Sequence, residues 1–163
     1  MQNIITTNPL TRLIRIIRTD AENSDFIELV KQLDAELVVR DGEDHAFYAQ
    51  LNKTGTIKHV IVAYDNFSPV GCGAIRNYDA NVMEVKRMYT VPAERGKGIA
   101  TMLLQALEKW AAELSAGKLI LETGKNQPEA IGLYHKNHYH RIPNYGQYAG
   151  LESSVCFEKI LPG

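Results

Sequence analysis

One stretch, Glu84 to Gln105 (EVKRMYTVPAERGKGIATMLLQ), constrains this chain more than any other. Glu84 to Val91 carries a strand signal, with Val85, Met88 and Val91 apolar and Tyr89 and Thr90 favouring β structure. Pro92 lacks an N–H and fixes φ, so the strand stops near Val91. From Ile99 the spacing is helical, and Ile99, Leu103, Ala106, Leu107, Trp110, Ala111 and Leu114 fall on one stripe. Arg95-Gly96-Lys97-Gly98 joins the two. A helix start leaves its first N–H groups unpaired at the positive end of the macrodipole. Gly96 and Gly98 carry no Cβ to keep an anion away, and Arg95 and Lys97 add positive charge. Such a strand–turn–helix unit is a candidate pyrophosphate cradle. The same residues also suit an ordinary glycine turn.

Spacing separates this turn from two common cradles. No pair of glycines with four residues between them is followed by Lys and Ser or Thr, as a Walker loop requires. Counting from Gly96, Thr101 stands where the dinucleotide fingerprint needs a third Gly or Ala, and the acidic residue expected about 20 positions later is missing.

Arg95-Gly96-Lys97-Gly98-Ile99-Ala100 resembles the Q/R-x-x-G-x-G/A signature of the GNAT superfamily of N-acetyltransferases, and VKRMYTVPAE resembles the strand that leads into it. A later segment, LETGKNQPEAIGLYHKNHYHR, resembles a second motif of that family through Asn126, Ala130, Leu133 and Tyr134. It departs at His138-Tyr139, where the family has Gly-Phe. The family's Gly ends the helix in a left-handed conformation, which His adopts at some cost. The resemblance covers roughly Arg12 to Lys159.

The 163 residues suit a single domain, 1–163, with its core over about 12–160. Eighteen basic side chains against 19 acidic ones argue against nucleic-acid binding through bulk charge, although Lys86, Arg87, Arg95 and Lys97 form a local basic group. Cys72 and Cys156 lie in apolar strand-like runs without metal-ligand spacing, which suits buried thiols. His135, His138 and His140 are split between a helix end and a strand start, so no metal site is expected. The start of the chain lacks a signal-peptide core, and no run reaches the length of a membrane span. A cytoplasmic location without membrane contact is the expectation.

Taken in order, Met1 to Pro9 reads as a loose lead-in and Arg12 to Thr19 as a first strand. Asn23 or Ser24 caps a helix with a Phe26, Leu29, Val30, Leu33, Leu37 stripe. A short helix over Glu43 to Leu51 follows, with a turn at Asn52 to Thr56. Strands are expected at Ile57 to Tyr64, Val70 to Tyr78 and Glu84 to Val91. Gly71 and Gly73 hint at a bulge or a close backbone approach. After the signature helix, which Gly117 is suited to end, come a strand at Lys118 to Thr123, a helix at Asn126 to Lys136, and strands at Tyr139 to Ile142 and Ser154 to Ile160. This order is α/β (α+β) and three-layered, with about seven strands in a mixed twisted sheet and helices on both faces. The resemblance identifies that order with the GNAT fold.

Function follows from the resemblance. It implies transfer of an acetyl group from acetyl-coenzyme A (acetyl-CoA) to a primary amine of a small molecule, amino acid or peptide, directly within a ternary complex. Coenzyme contacts fall on Met88, Tyr89, Thr90, Val91, Arg95, Gly96, Lys97, Gly98, Ile99, Ala100, Thr101, Asn126, Ala130, Leu133 and Tyr134. Tyr134 becomes the acid for the departing thiolate, or else a core aromatic. Glu84 becomes the base for the amine, or else a partner of Lys86. Backbone N–H groups near Tyr89 to Val91 polarise the thioester carbonyl. Asn126 contacts the pantetheine arm or caps the following helix. Arg40, His45, Tyr48, Tyr145 and Tyr148 are the acceptor candidates, with Arg40 suited to a carboxylate, or they pack the rim. A coenzyme A-binding sensor on the same fold, a longer acyl chain, and a homodimer through the last hairpin's edge remain open.

Overall fold

The computed structural model describes residues 3–7, 13–41 and 57–163. The expected helix over Glu43 to Leu51, the turn after it, and the acceptor candidates His45 and Tyr48 lie outside the described residues.

The seven expected strands are present, and an eighth precedes them. The strands are β1 (Asn3–Thr7), β2 (Leu13–Thr19), β3 (His59–Asp65), β4 (Ser68–Asp79), β5 (Val82–Thr90), β6 (Lys118–Gly124), β7 (His140–Ile142) and β8 (Ser154–Ile160). The helices are α1 (Ser24–Asp41), α2 (Ile99–Glu113) and α3 (Pro128–Lys136). The expected loose lead-in is therefore corrected. Asn3 to Thr7 pairs antiparallel with β2, from Asn3 opposite Ile17 to Thr7 opposite Leu13. Ile4, Ile5, Thr6 and Thr7 are good strand formers, but the run lacks the alternation that marks a half-buried strand.

One sheet takes all eight strands in the order β1-β2-β3-β4-β5-β6-β8-β7. Among the described strands only β5 and β6 run parallel, joined by the crossover through α2. On one face, Ile61, Ile75, Met83, Val85, Leu119 and Leu121 pack with Ile99, Leu103, Leu104 and Leu107 of α2, and Tyr134 of α3 joins them. On the other face, Val60, Val62, Cys72, Ala74 and Tyr89 meet Phe26, Leu29 and Val30 of α1. Asn23 caps α1, accepting the Phe26 N–H on Oδ1 at 3.0 Å.

Two breaks in regularity shape the site. The first is a bulge in β5. Cys72 stands opposite Tyr89 and Ala74 opposite Lys86, so the single residue Gly73 faces both Arg87 and Met88. Arg87 takes φ 58° there. A Cβ on Gly73 would come within 2.7 Å of Met88 Sδ, and one on Gly71 within 2.9 Å of Tyr89 O. The two glycines thus permit both the bulge and the close approach. The second break is the parting of β5 and β6. Their ladder holds only three rungs, ending at Glu84 opposite Ile120, while β5 continues to Thr90 and β6 to Gly124.

The end of α2 differs from expectation. Ser115, not Gly117, takes the left-handed conformation, at φ 69°. Ala116 N then reaches Ala111 O at 2.9 Å and Ser115 N reaches Ala112 O at 3.0 Å, the paired bonds of a Schellman cap. That cap needs its left-handed residue directly after Leu114. Gly117 comes two positions too late and donates instead to Asn81 O at 2.8 Å.

Candidate active site

Where β5 and β6 part, the sheet opens into a cleft of about 650 Å³. Its floor is the free edge of β5. Val91 N donates to Val70 O at 3.0 Å, so that amide faces β4. Strand alternation then turns the N–H groups of Thr90 and Met88 toward the gap. Arg95 Nε takes the Thr90 carbonyl on the same edge, at 2.9 Å. Of the strand-end donors expected to polarise a thioester carbonyl, Val91 is already engaged.

The glycine turn stands at one end of this edge. Gly98 is the N-cap of α2 at φ 86° and Gly96 sits at φ 78°. A Cβ on either would meet nothing within 4 Å. Glycine is required there for its backbone conformation rather than for clearance. The intrahelical ladder starts at Met102 N, which reaches Gly98 O at 3.1 Å. The amides of Ile99, Ala100 and Thr101 precede that first bond, at the positive end of the helix dipole. The Asn137 amide, at the end of α3, donates to Thr101 Oγ1 at 3.3 Å and to Leu133 O at 2.9 Å, fixing α3 against the start of α2.

Met88, Tyr89, Thr90, Arg95, Gly96, Gly98, Ala100, Thr101, Asn126, Ala130, Leu133 and Tyr134, all expected coenzyme contacts, line the cleft. Ile99 instead points into the core, and Lys97 pairs with Glu94 at 3.3 Å. Asn126 is not the cap of α3. Gln127 holds that position, with Pro128 in the first turn.

Tyr134 is buried against Tyr139 and Phe157, with ring centroids 5.7 and 5.9 Å away. Burial first, and the charge of Glu122 second, raise its phenol well above the ordinary value. It therefore keeps its proton through the neutral range and presents it as a donor.

Glu84, Tyr145 and Tyr148 fall into a separate group on the α1 face. Glu84 is 1 % exposed and lies beside a smaller pocket, about 470 Å³, that Arg76, Tyr78, Tyr145 and Tyr148 also line. Arg76 Nε donates to Glu84 Oε1 at 2.9 Å and Tyr145 Oη to Oε2 at 2.5 Å. Lys86 stands 3.8 Å from Glu84 and donates to the Tyr148 hydroxyl at 3.0 Å. The structure thus unites Glu84, Tyr145 and Tyr148, and gives Glu84 the Lys86 contact together with two closer partners. Arg40 lies apart from this group, paired with Glu129 at 3.0 Å.

Of two further residues in this neighbourhood, the sequence pointed to Lys86 only as part of a basic group and a partner of Glu84, and did not point to Glu122. Glu122 of β6 lines the cleft and accepts a 2.7 Å hydrogen bond from Ser154 Oγ. Lys86 lines the cleft as well, and burial lowers its ammonium pKa against the raising effect of Glu84. They are the next positions on the α1 face beyond the last rung, Glu84 opposite Ile120. A Glu inside the apolar run KLILET was the available signal. Burial raises the Cys72 thiol to about 12 and the Cys156 thiol to about 11, so neither is poised as an acyl-carrying nucleophile. No helix among the described residues is long and apolar enough to cross a membrane.

Comparison with known proteins agrees with this architecture. Residues 19–139 match the model of the Acetyltransferase (GNAT) family. An IAA acetyltransferase of Azospirillum brasilense is 30% identical over 151 residues, spanning 91% of this chain and 98% of that protein. A solved Klebsiella pneumoniae structure, assigned as an acyl-CoA N-acyltransferase, is also 30% identical, with a TM-score of 0.74 over 90% of this chain and 96% of its own. The PaiA N-acetyltransferase of Thermoplasma acidophilum, solved in complex with coenzyme A, shares the fold at 16% identity and TM-score 0.65, over 90% of this chain and 98% of its own. The parted strands, the left-handed glycine turn and these matches converge: the chain belongs to the GNAT family of acetyltransferases.

Proposed function

We propose that the protein transfers the acetyl group of acetyl-coenzyme A to a primary amine, directly and within a ternary complex. One observation carries the reading: the cleft runs from the amides of the Gly96–Gly98 turn, along the free edge of β5, to the buried Tyr134 phenol. That arrangement offers an anion seat at one end, strand amides along a narrow slot, and a protonated donor in its wall.

The donor substrate supplies the activated acyl group; the protein supplies position and electrostatics. The α2 N-terminus binds phosphate. The Thr90 and Met88 amides hold the arm and polarise the carbonyl. Tyr134 donates toward the departing thiolate. Deprotonation of the amine falls to the α1 face, where Glu84 and Glu122 are the available carboxylates. Both are engaged, Glu84 by Arg76 and Tyr145 and Glu122 by Ser154, but Glu122 lines the cleft and Glu84 does not. Glu122, in the cleft wall, is the better placed of the two.

Release of free thiol from acetyl-coenzyme A, followed with a thiol reagent across a panel of primary amines, tests the reading. Amine-dependent release with intersecting initial-rate lines is expected. Coenzyme binding with no amine-dependent release would favour a non-catalytic sensor.

A further inference from the structure

Four charged side chains from three parts of the chain meet at the cleft rim. Arg95, which leads into the glycine turn, donates from Nη2 to Glu36 Oε2 at 2.7 Å. Glu36 lies on α1, and its other oxygen stands 3.7 Å from Arg40, one helical turn further on. Arg40 reaches across to α3, where Nη1 and Nη2 donate to Glu129 Oε2 and Oε1 at 3.0 and 3.1 Å. All four residues line the cleft. The Arg40–Glu129 pair has the forked geometry of the stronger guanidinium contacts. It holds the Glu129 carboxyl down to about 2, chiefly through the Arg40 hydrogen bond. Since α1 packs on one face of the sheet and α3 on the other, the pair is a clasp between the two outer layers at the open end of the sheet.

The guanidinium fork accepts a phosphate in the same geometry as a carboxylate. Arg95 adjoins the amides of the glycine turn, and Arg40 is linked to it through Glu36. With Arg95 already among the coenzyme contacts that the family signature implies, we propose that Arg40 is a further ligand for the coenzyme's phosphates, and that Glu36 and Glu129 hold the two cations until the coenzyme displaces them. The inference rests on the coenzyme reading above. It moves Arg40 from the acceptor side to the donor side.

Exposure suits such an exchange. The Glu129 side chain is 67% exposed and that of Arg40 27%, so water screens the clasp despite its forked geometry, and a pyrophosphate with two negative charges competes well against one carboxylate. The consequence has an unusual sign. Removing either carboxylate frees a cation and tightens coenzyme binding, whereas a general lesion at the rim would weaken it.

Calorimetric titration of the full chain with coenzyme A at low salt tests this. E129Q and E36Q should each lower Kd about two- to fivefold, the size of one exposed ion pair, and R40A should raise it about tenfold. Pantetheine, which has no phosphate, should bind E129Q and the wild type alike. The inference is overturned if E129Q binds coenzyme A no more tightly, or if pantetheine shows the same gain. It is equally overturned if R40A spares coenzyme A and weakens only the amine acceptor. A wild-type chain that does not bind coenzyme A would refute the donor itself, and this inference with it.

Discussion

Tyr145 and Glu84 are joined by a 2.5 Å hydrogen bond across 61 residues of sequence, with Arg76 on the carboxylate's other oxygen. The contact fastens the loop before β8 to the strand that opens the cleft. Glu84 is 1 % exposed, so each donor offsets the loss of water around a charge. Burial, and then Glu84 itself, push the Tyr145 phenol far above its usual value, so it remains the donor at neutral pH.

Tyr145→Phe keeps the ring, and with it the edge contacts to Tyr78 and Tyr148 at 5.2 and 5.6 Å. It removes only the donated bond. A loss of about 1.5–3 kcal/mol in unfolding free energy is expected, the range for hydrogen bonds to charged groups. Urea midpoints should fall with an unchanged slope. An unaltered midpoint would mean that Arg76 and Lys86 satisfy the carboxylate without help.

Tyr134→Phe separates donation from packing. The ring sits between Tyr139 and Phe157 in either case, so stability and coenzyme affinity should stay close to wild type. Loss of the phenol proton should lower kcat about a hundredfold, the low end for general acid catalysis. Single-turnover measurement with saturating amine is the appropriate readout, because product release then cannot mask the chemical step. Wild-type kcat in this variant would leave Tyr134 as a core aromatic and nothing more.

The elements carried by strong periodicity were legible in the sequence. The α2 stripe, the β3–β4–β5 meander and the helix beginning at Pro128 stand where apolar spacing puts them. Features that depend on pairing were less so. Gly71 and Gly73 hinted at a bulge, but Arg87 as the residue that bears the positive φ follows only from the register, Cys72 opposite Tyr89 and Ala74 opposite Lys86. Glu122 reads as one polar residue in an apolar strand until the sheet parts beside it. Arg40 reads as a cation suited to an acceptor's carboxylate until α3 brings the carboxylate of Glu129 to it from 89 residues away. Ser115 displaced Gly117 as the helix stop because closure of the cap fixes the position, whereas glycine merely suits it.

The two glycines of β4 should differ in tolerance. A Cβ at Gly73 would meet Met88 Sδ at 2.7 Å and Leu107 Cδ1 at 3.0 Å, both ends of side chains that can turn. One at Gly71 would meet the Tyr89 carbonyl oxygen at 2.9 Å, which the strand holds in place, together with Leu103 Cδ1 at 3.0 Å. Overpacking of this kind costs about 1–3 kcal/mol. Gly71→Ala should therefore fall at the upper end and Gly73→Ala at the lower. Gly73→Ala should in addition weaken coenzyme binding, since the displaced Met88 lines the cleft. Equal destabilisation with no effect on binding would mean that strand and bulge shift together as one body.

His138 stands where the second motif departs from its family pattern. It follows Asn137, the C-cap of α3, and takes φ 69°. His138 N reaches His135 O at 3.1 Å and Tyr139 N reaches Tyr134 O at 2.9 Å, so a left-handed residue is needed at this position for the cap to close. A side chain in that conformation carries a penalty of about 1–2 kcal/mol that glycine avoids. Glycine gives part of it back through the greater freedom of its unfolded chain. His138→Gly should therefore stabilise the protein by about 0.5–1 kcal/mol, and His138→Val should destabilise it by more than that, because a β-branched residue fits φ > 0 worst. The cap also places Tyr134, whose carbonyl closes it, in the cleft wall. Thermal unfolding of the two variants beside the wild type gives the order Gly above His above Val; a glycine variant that melts lower would show that the imidazole makes a contact worth more than the strain it bears.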